Sequence, residues 1–119
     1  MAFLDILKQI VDSFEGCIGG IVIGIDGIAV EQYMKGNENI DFQNIGAEYM
    51  NLMKTVTDTS NTLGFEEPEQ LIVEYRETTL IVRSINKDYF VILAAKNSGN
   101  VGKGRFLLRK NILNFSKEF

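Results

Sequence analysis

Three apolar, β-branched runs follow Pro68 with almost no chain between them: QLIVEY (Gln70 to Tyr75), TLIVRSI (Thr79 to Ile85) and YFVILAA (Tyr89 to Ala95). Runs of this length and composition, bounded by polar turn residues, read as strands. The first two are joined near Arg76 and Glu77, the second two by Asn86-Lys87-Asp88. A parallel crossover needs roughly a dozen residues or more. Neither connection approaches that, so the three runs must form an antiparallel meander. Upstream, IGGIVIGI (Ile18 to Ile25) and IAVEQYM (Ile28 to Met34) are joined by Asp26-Gly27. Two β-branched runs joined by Asp-Gly are the strongest short-range hairpin signal a sequence offers, which makes this pair a second antiparallel unit.

Helical periodicity fills the remaining segments. Phe3, Leu4, Ile6, Leu7, Ile10, Val11 and Phe14 recur at helical spacing, with Gly16 read as the terminator. Asp41 is placed to cap a long second helix that runs to about Leu63, with Gly64 as its stop. On that helix Phe42, Ile45, Tyr49, Leu52, Val56 and Leu63 make one apolar stripe, expected to lie on a sheet. Beside it run Gly46, Met50, Met53 and Thr57, small or flexible side chains that would let a neighbouring helix approach closely. The plainer alternative is that the methionines widen the core face. Lys35 to Asn39 is polar and loop-like. A third helix carries Leu108, Ile112, Phe115 and Phe119 as its expected buried face. The order is α-β-β-α-β-β-β-α, an α+β chain with one expected domain over residues 1–119. At this length about two-thirds of the unfolded surface can be buried.

The stretch from Asp88 to Lys110 has the order of a phosphate-binding loop: strand, glycine-rich basic turn, helix. The spacing does not fit. Asn97 stands where the first glycine should be, and Gly104 follows Gly102-Lys103 where a metal-binding hydroxyl is needed. Gly16, Gly19, Gly20, Gly24 and Gly27 lie within or between strands and open no helix, so they make no dinucleotide fingerprint. They predict places where another element packs on bare backbone. The chain contains no histidine, which removes the commonest general base and most transition-metal sites. Cys17, the one cysteine, reads as a small buried hydrophobe, and Glu66-Glu67 and the Glu74, Glu77 pair as surface charge.

A net charge of −4 gives no support for a general nucleic-acid binder. The basic residues Lys96, Lys103, Arg105, Arg109 and Lys110 read as a solvated helix face. No apolar run approaches the roughly twenty residues that span a bilayer. Asp5, Lys8 and Asp12 interrupt the first segment before a signal core forms. The expectation is a cytoplasmic protein without membrane insertion, metal or cofactor.

With GIVIGIDG (Gly20 to Gly27) as its first hairpin, LIVEY and LIVRSI as middle strands, and YFVIL followed by GNVGKGRFLLRK, the chain resembles the roadblock (dynein light chain) domain. The resemblance spans essentially the whole chain and includes bacterial relatives such as mutual gliding protein B. It implies a five-stranded antiparallel sheet with the second helix on one face and the first and third on the other. It also implies a homodimer built by the second helices and the edge strand that follows them. Here that assigns Gly46, Met50, Met53, Thr57, Leu71, Val73 and Tyr75 to the dimer interface. The implied partner is a small Ras-like GTPase, regulated or scaffolded without catalytic residues from this chain. Glu48, Asn51, Lys54, Thr55 and Asp58 are the outward positions for that contact. An alternative from another class is a small-ligand or nucleotide sensor that uses the Asn97–Arg105 loop as an anion cradle. A purely structural adaptor subunit is a third.

Overall fold

The computed structural model describes residues 2–36 and 39–119. Helix α1 (Phe3–Asp12) leads into the hairpin β1 (Cys17–Gly24) and β2 (Ala29–Met34). Helix α2 (Phe42–Leu63) then carries the chain to the meander β3 (Gln70–Glu74), β4 (Thr78–Ser84) and β5 (Tyr89–Lys96), and α3 (Val101–Ser116) follows. This is the element order read from the sequence. Of the polar stretch 35–39, residues 37 and 38 lie outside the described residues.

All strand pairings are antiparallel, and the sheet order is β2-β1-β5-β4-β3. The centre therefore comes from β1 and β5, which are distant in sequence, while β2 and β3 are the edges. In β1 every residue is buried, because helices cover both of its faces. Val22 points with Ile81, Val91 and Leu93 into a core closed by Ile6, Leu7 and Ile10 of α1 and Leu108 and Phe115 of α3. Ile21 and Ile23 point with Val82, Phe90 and Ile92 into a second core closed by Phe42, Tyr49, Met50 and Met53 of α2. Each large side chain buried in either layer contributes roughly 1.5–3 kcal/mol relative to exposure.

Two glycines let the helices come this close to β1. A Cβ on Gly20 would lie 3.2 Å from Leu7 Cδ2 on one side of the sheet. A Cβ on Gly19 would lie 3.0 Å from Phe42 Cε2 on the other. The two ends of α2 follow the caps expected of them. The Asp41 carboxylate accepts the Asn44 N–H at 3.1 Å, and Gly64 adopts φ 78° as the left-handed stop of α2.

Two expectations need correction. Gly16 does not terminate α1, which ends at Asp12 with Ser13 as its cap; Gly16, at φ 88°, lies in the turn that enters β1. The expected face of α3 also holds only in part. Leu108 and Phe115 are fully buried and Ile112 half-buried, but Phe119 lies beyond the helix end, 48% exposed. Its ring stacks on Tyr89 with centroids 4.0 Å apart. Asn111 takes a buried position on α3 because its amide donates to the Leu107 carbonyl at 2.9 Å and its side-chain oxygen accepts from Asn114.

Candidate interaction surface

Helix α2 divides its circumference into three. The row that faces the sheet is Phe42, Gly46, Tyr49, Met50 and Met53. Met50 is 1% exposed and Met53 0%, both packed on the strand side chains of the second core. Gly46 faces Ile23, whose Cδ1 occupies the space a Cβ would need. The seam expected for a second helix is thus consumed by the protein's own sheet: Gly46, Met50 and Met53 are unavailable to a partner, and Thr57 is half-buried. The plainer alternative, methionines as core, is the one the structure holds.

The stripe expected on the sheet is correspondingly displaced outward. Phe42 and Tyr49 do face the core, but Leu52 is 42% and Leu63 62% exposed, and Ile45 and Val56 are half-buried. At 3.6 residues per turn Ile45, Leu52, Val56 and Leu63 fall within about 40° of one another, a narrow apolar flank. The seven, four, seven spacing of those residues was the signal for it. Tyr49 lies between this flank and the core row and reaches Tyr75, just past the end of β3, so the flank is on the β3 side of the helix. Phe65, 65% exposed beyond the Gly64 stop, extends the apolar surface and was not foreseen from the sequence.

Strand β3 continues this surface. Leu71 and Val73 pack partly against the α2 core, while Tyr75 is 51% exposed. The odd-numbered residues bond to β4, as in the Tyr75 N–H to Thr78 carbonyl bond of 2.7 Å. Antiparallel alternation leaves the N–H and C=O groups of Gln70, Ile72 and Glu74 pointing away from the sheet. Glu48, Asn51, Lys54, Thr55 and Asp58 are all exposed on the outer side of α2. Lys54 and Asp58 also border a recess of about 140 Å³ shared with Glu67 and Lys87.

Among the described residues, the clear pKa shifts come from burial and local hydrogen bonds. Burial pushes the Tyr49 phenol above its ordinary range, and the bond to Tyr75 adds to this. Burial also pushes the Cys17 thiol up to about 12, so it stays protonated and inert. Its Sγ lies 3.6 Å from the Ala94 carbonyl. Desolvation, then a hydrogen bond to Asp12, raises Tyr33. Among the described residues no group of three or more His, Cys, Asp or Glu side chains is placed to hold a metal ion, and no helix is long and apolar enough to cross a membrane.

The Asn97–Arg105 segment is not one open loop. Helix α3 begins at Val101, and the Asn100 side chain already accepts the Lys103 N–H at 3.0 Å. Asn97 is tied down as well: its amide donates to the Tyr75 and Arg76 carbonyls at 2.7 and 3.2 Å, and its oxygen meets the Thr79 hydroxyl. Gly99 packs on the backbone of Glu15 and Gly16, with no room for a side chain. These groups staple a turn and are not free to wrap an anion. A recess of about 700 Å³ borders the segment at Arg76, Glu77, Lys96, Asn97 and Ser98.

A sheet of order β2-β1-β5-β4-β3, one helix on one face and two on the other, defines a roadblock-type domain. No family model and no curated protein matches the chain, but solved structures do. MglC from Myxococcus xanthus is 30% identical, with 100% of both chains covered and a TM-score of 0.72. Gliding protein MglB from Thermus thermophilus is 9% identical at TM-score 0.87, covering 96% of this chain and 85% of that one. A Roadblock/LC7 domain from Streptomyces avermitilis is 13% identical at TM-score 0.75, covering 92% and 94%. The chain belongs to the roadblock domain family.

Proposed function

We propose that the chain is a single-domain, non-catalytic interaction module of the cytoplasm that self-associates through α2 and β3 and binds a small Ras-like GTPase as its regulator or scaffold. The observation that carries this reading is the continuous unpartnered surface made by the α2 flank (Ile45, Leu52, Val56, Leu63) and the open edge of β3. An apolar helix flank beside an open strand edge is an aggregation liability in a monomer and an asset in a symmetric pair. A second copy related by a two-fold axis would cover the flank and satisfy the Gln70, Ile72 and Glu74 backbone groups at once. Leu71, Val73 and Tyr75 remain interface candidates. The tetrameric arrangement of a solved MglB supports self-association in this fold.

The GTPase reading rests on the family resemblance and on the polar outer face of α2, where Glu48, Asn51, Lys54, Thr55 and Asp58 remain the candidate contacts. The test is direct: the purified chain is mixed with small Ras-like GTPases encoded by the same genome, in GDP and GTP-analogue states, and complex formation and hydrolysis are measured. A state-dependent complex is expected, weakened by the paired substitution Asn51→Arg and Thr55→Arg. Failure to bind any of them in either state would sink the proposal.

A further inference from the structure

On the other face of the sheet, away from α2, three arginines meet in one recess. Arg83 projects from β4 with its side chain only 17% exposed. Gln70 Oε1 at 3.4 Å and Glu69 Oε2 at 3.8 Å hold its guanidinium. Arg105 and Arg109, one turn apart on α3, form the opposite wall, and the recess between them encloses about 170 Å³. Neither Arg105 nor Arg109 has an ion-pair partner among the described residues. Between Val101 and Ser116 the helix carries Lys103, Arg105, Arg109 and Lys110 and no acid, in a chain of net charge −4. Like charges one turn apart repel, so this arrangement disfavours the isolated helix.

One aromatic side chain borders the same recess, with further exposed apolar groups on the two elements that form it. Phe106 lines it and is 51% exposed. Leu113, seven residues further along α3, is 72% exposed, and Ile72 of β3 is 37% exposed on this face of the sheet. Gly102 adds no side chain to the wall. We propose that the recess between α3 and the β3–β4 edge is a docking site for an acidic peptide segment of a partner protein. A carboxylate enters among Arg83, Arg105 and Arg109, and a neighbouring apolar side chain rests on Phe106.

The chemistry selects this occupant. Guanidinium pairs grip carboxylates bidentately, and an exposed aromatic beside them supplies an apolar anchor. A nucleic-acid track needs cations repeated along a backbone, which three converging arginines do not offer. A bilayer surface is flat and would leave Arg83, at the floor of the recess, unengaged. The recess lies on the sheet face opposite the α2 flank, and it shares Gln70 with the β3 edge of the proposed dimer.

The probe is a fluorescein-labelled ten-residue peptide of alternating Glu or Asp and Leu, titrated with the full chain while anisotropy is followed. Binding that weakens with salt is expected, and Arg109→Glu should weaken it about tenfold. Lys110→Glu makes the same charge change outside the recess and should cost less than about threefold. Both positions are exposed, and circular dichroism of each variant verifies the fold. The proposal is overturned by an absence of peptide binding, by equal losses in the two variants, or by a wild type that ignores the peptide and binds phosphatidylserine vesicles.

Discussion

The hydroxyl of Tyr49 on α2 meets the hydroxyl of Tyr75, past the end of β3, at 2.5 Å. It is a polar clasp between the helix and the edge strand at the rim of an otherwise apolar layer. The two ends differ: Tyr49 is 8% exposed and Tyr75 51%. Removing Tyr49's hydroxyl leaves Tyr75 free to turn to water, whereas removing Tyr75's strands a buried phenol. Tyr75→Phe should therefore cost about 1–3 kcal/mol and Tyr49→Phe about 0.5–1.5. Urea unfolding of both variants checks the order, and the reverse order would contradict the clasp.

Alkaline pH should loosen the fold through groups held protonated. The Cys17 thiol rises from 9.0 to about 12 on folding, and Tyr49 rises from 10.0. In both cases the folded state keeps a proton that the unfolded chain releases. The Cys17 contribution is fully present below pH 9 and is lost as pH climbs from 9 toward 12, at up to about 1.4 kcal/mol per pH unit, and Tyr49 adds to the loss only above pH 10. Urea midpoints should be flat between pH 7 and 8.5 and fall above 9. Cys17→Ala should flatten the first part of that fall.

Glycines with crowded surroundings should separate by what crowds them. At Gly46 the obstacle is the tip of the Ile23 side chain, which can rotate away. Alanine also favours a helix over glycine by about 0.8–1 kcal/mol. Gly46→Ala should consequently change stability by less than about 1 kcal/mol. At Gly99 the obstacles are the Glu15 carbonyl and the Gly16 Cα, which are backbone. Gly99→Ala should destabilise by about 1–3 kcal/mol, as overpacking does. Thermal melts of the pair decide the matter.

Charge on α2 should have opposite consequences at neighbouring positions. Met50→Asp buries an unpaired carboxylate in the second core and should cost the fold several kcal/mol, on the order of 3–5. Leu52→Asp places the same group on the 42% exposed flank and should leave the melt within about 1 kcal/mol. If the flank is the self-association surface, light scattering should report a dimer for the wild type and a monomer for Leu52→Asp. A monomeric wild type would count against it.

Topology was legible because turn chemistry is local. Asp26-Gly27, Asp41, Gly64 and the short links of the meander each act within a few residues, and each does what its residue type dictates. The rotation of α2 about its axis was not legible. Leu52 and Leu63 are more apolar than Gly46, so hydrophobicity alone pointed the wrong side of the helix at the sheet. The deciding fact lies on another strand. Ile23 fills the space above β1, and the small Gly46 leaves room for its Cδ1 under the helix. The arginine recess escaped for the same reason: Arg83 and Arg105 are adjacent only after β4 and α3 pack.

The pairing of β1 with β5 joins Cys17 to Ala95 and Gly24 to Tyr89. The middle of the sheet thus depends on the earliest and latest strands, while its rims hang on the long excursion between them. A fragment that lacks either end forfeits the hub and keeps only loose rims. A single cut near Gly64 would spare the hub, leaving two pieces that each own half of it and can find each other again.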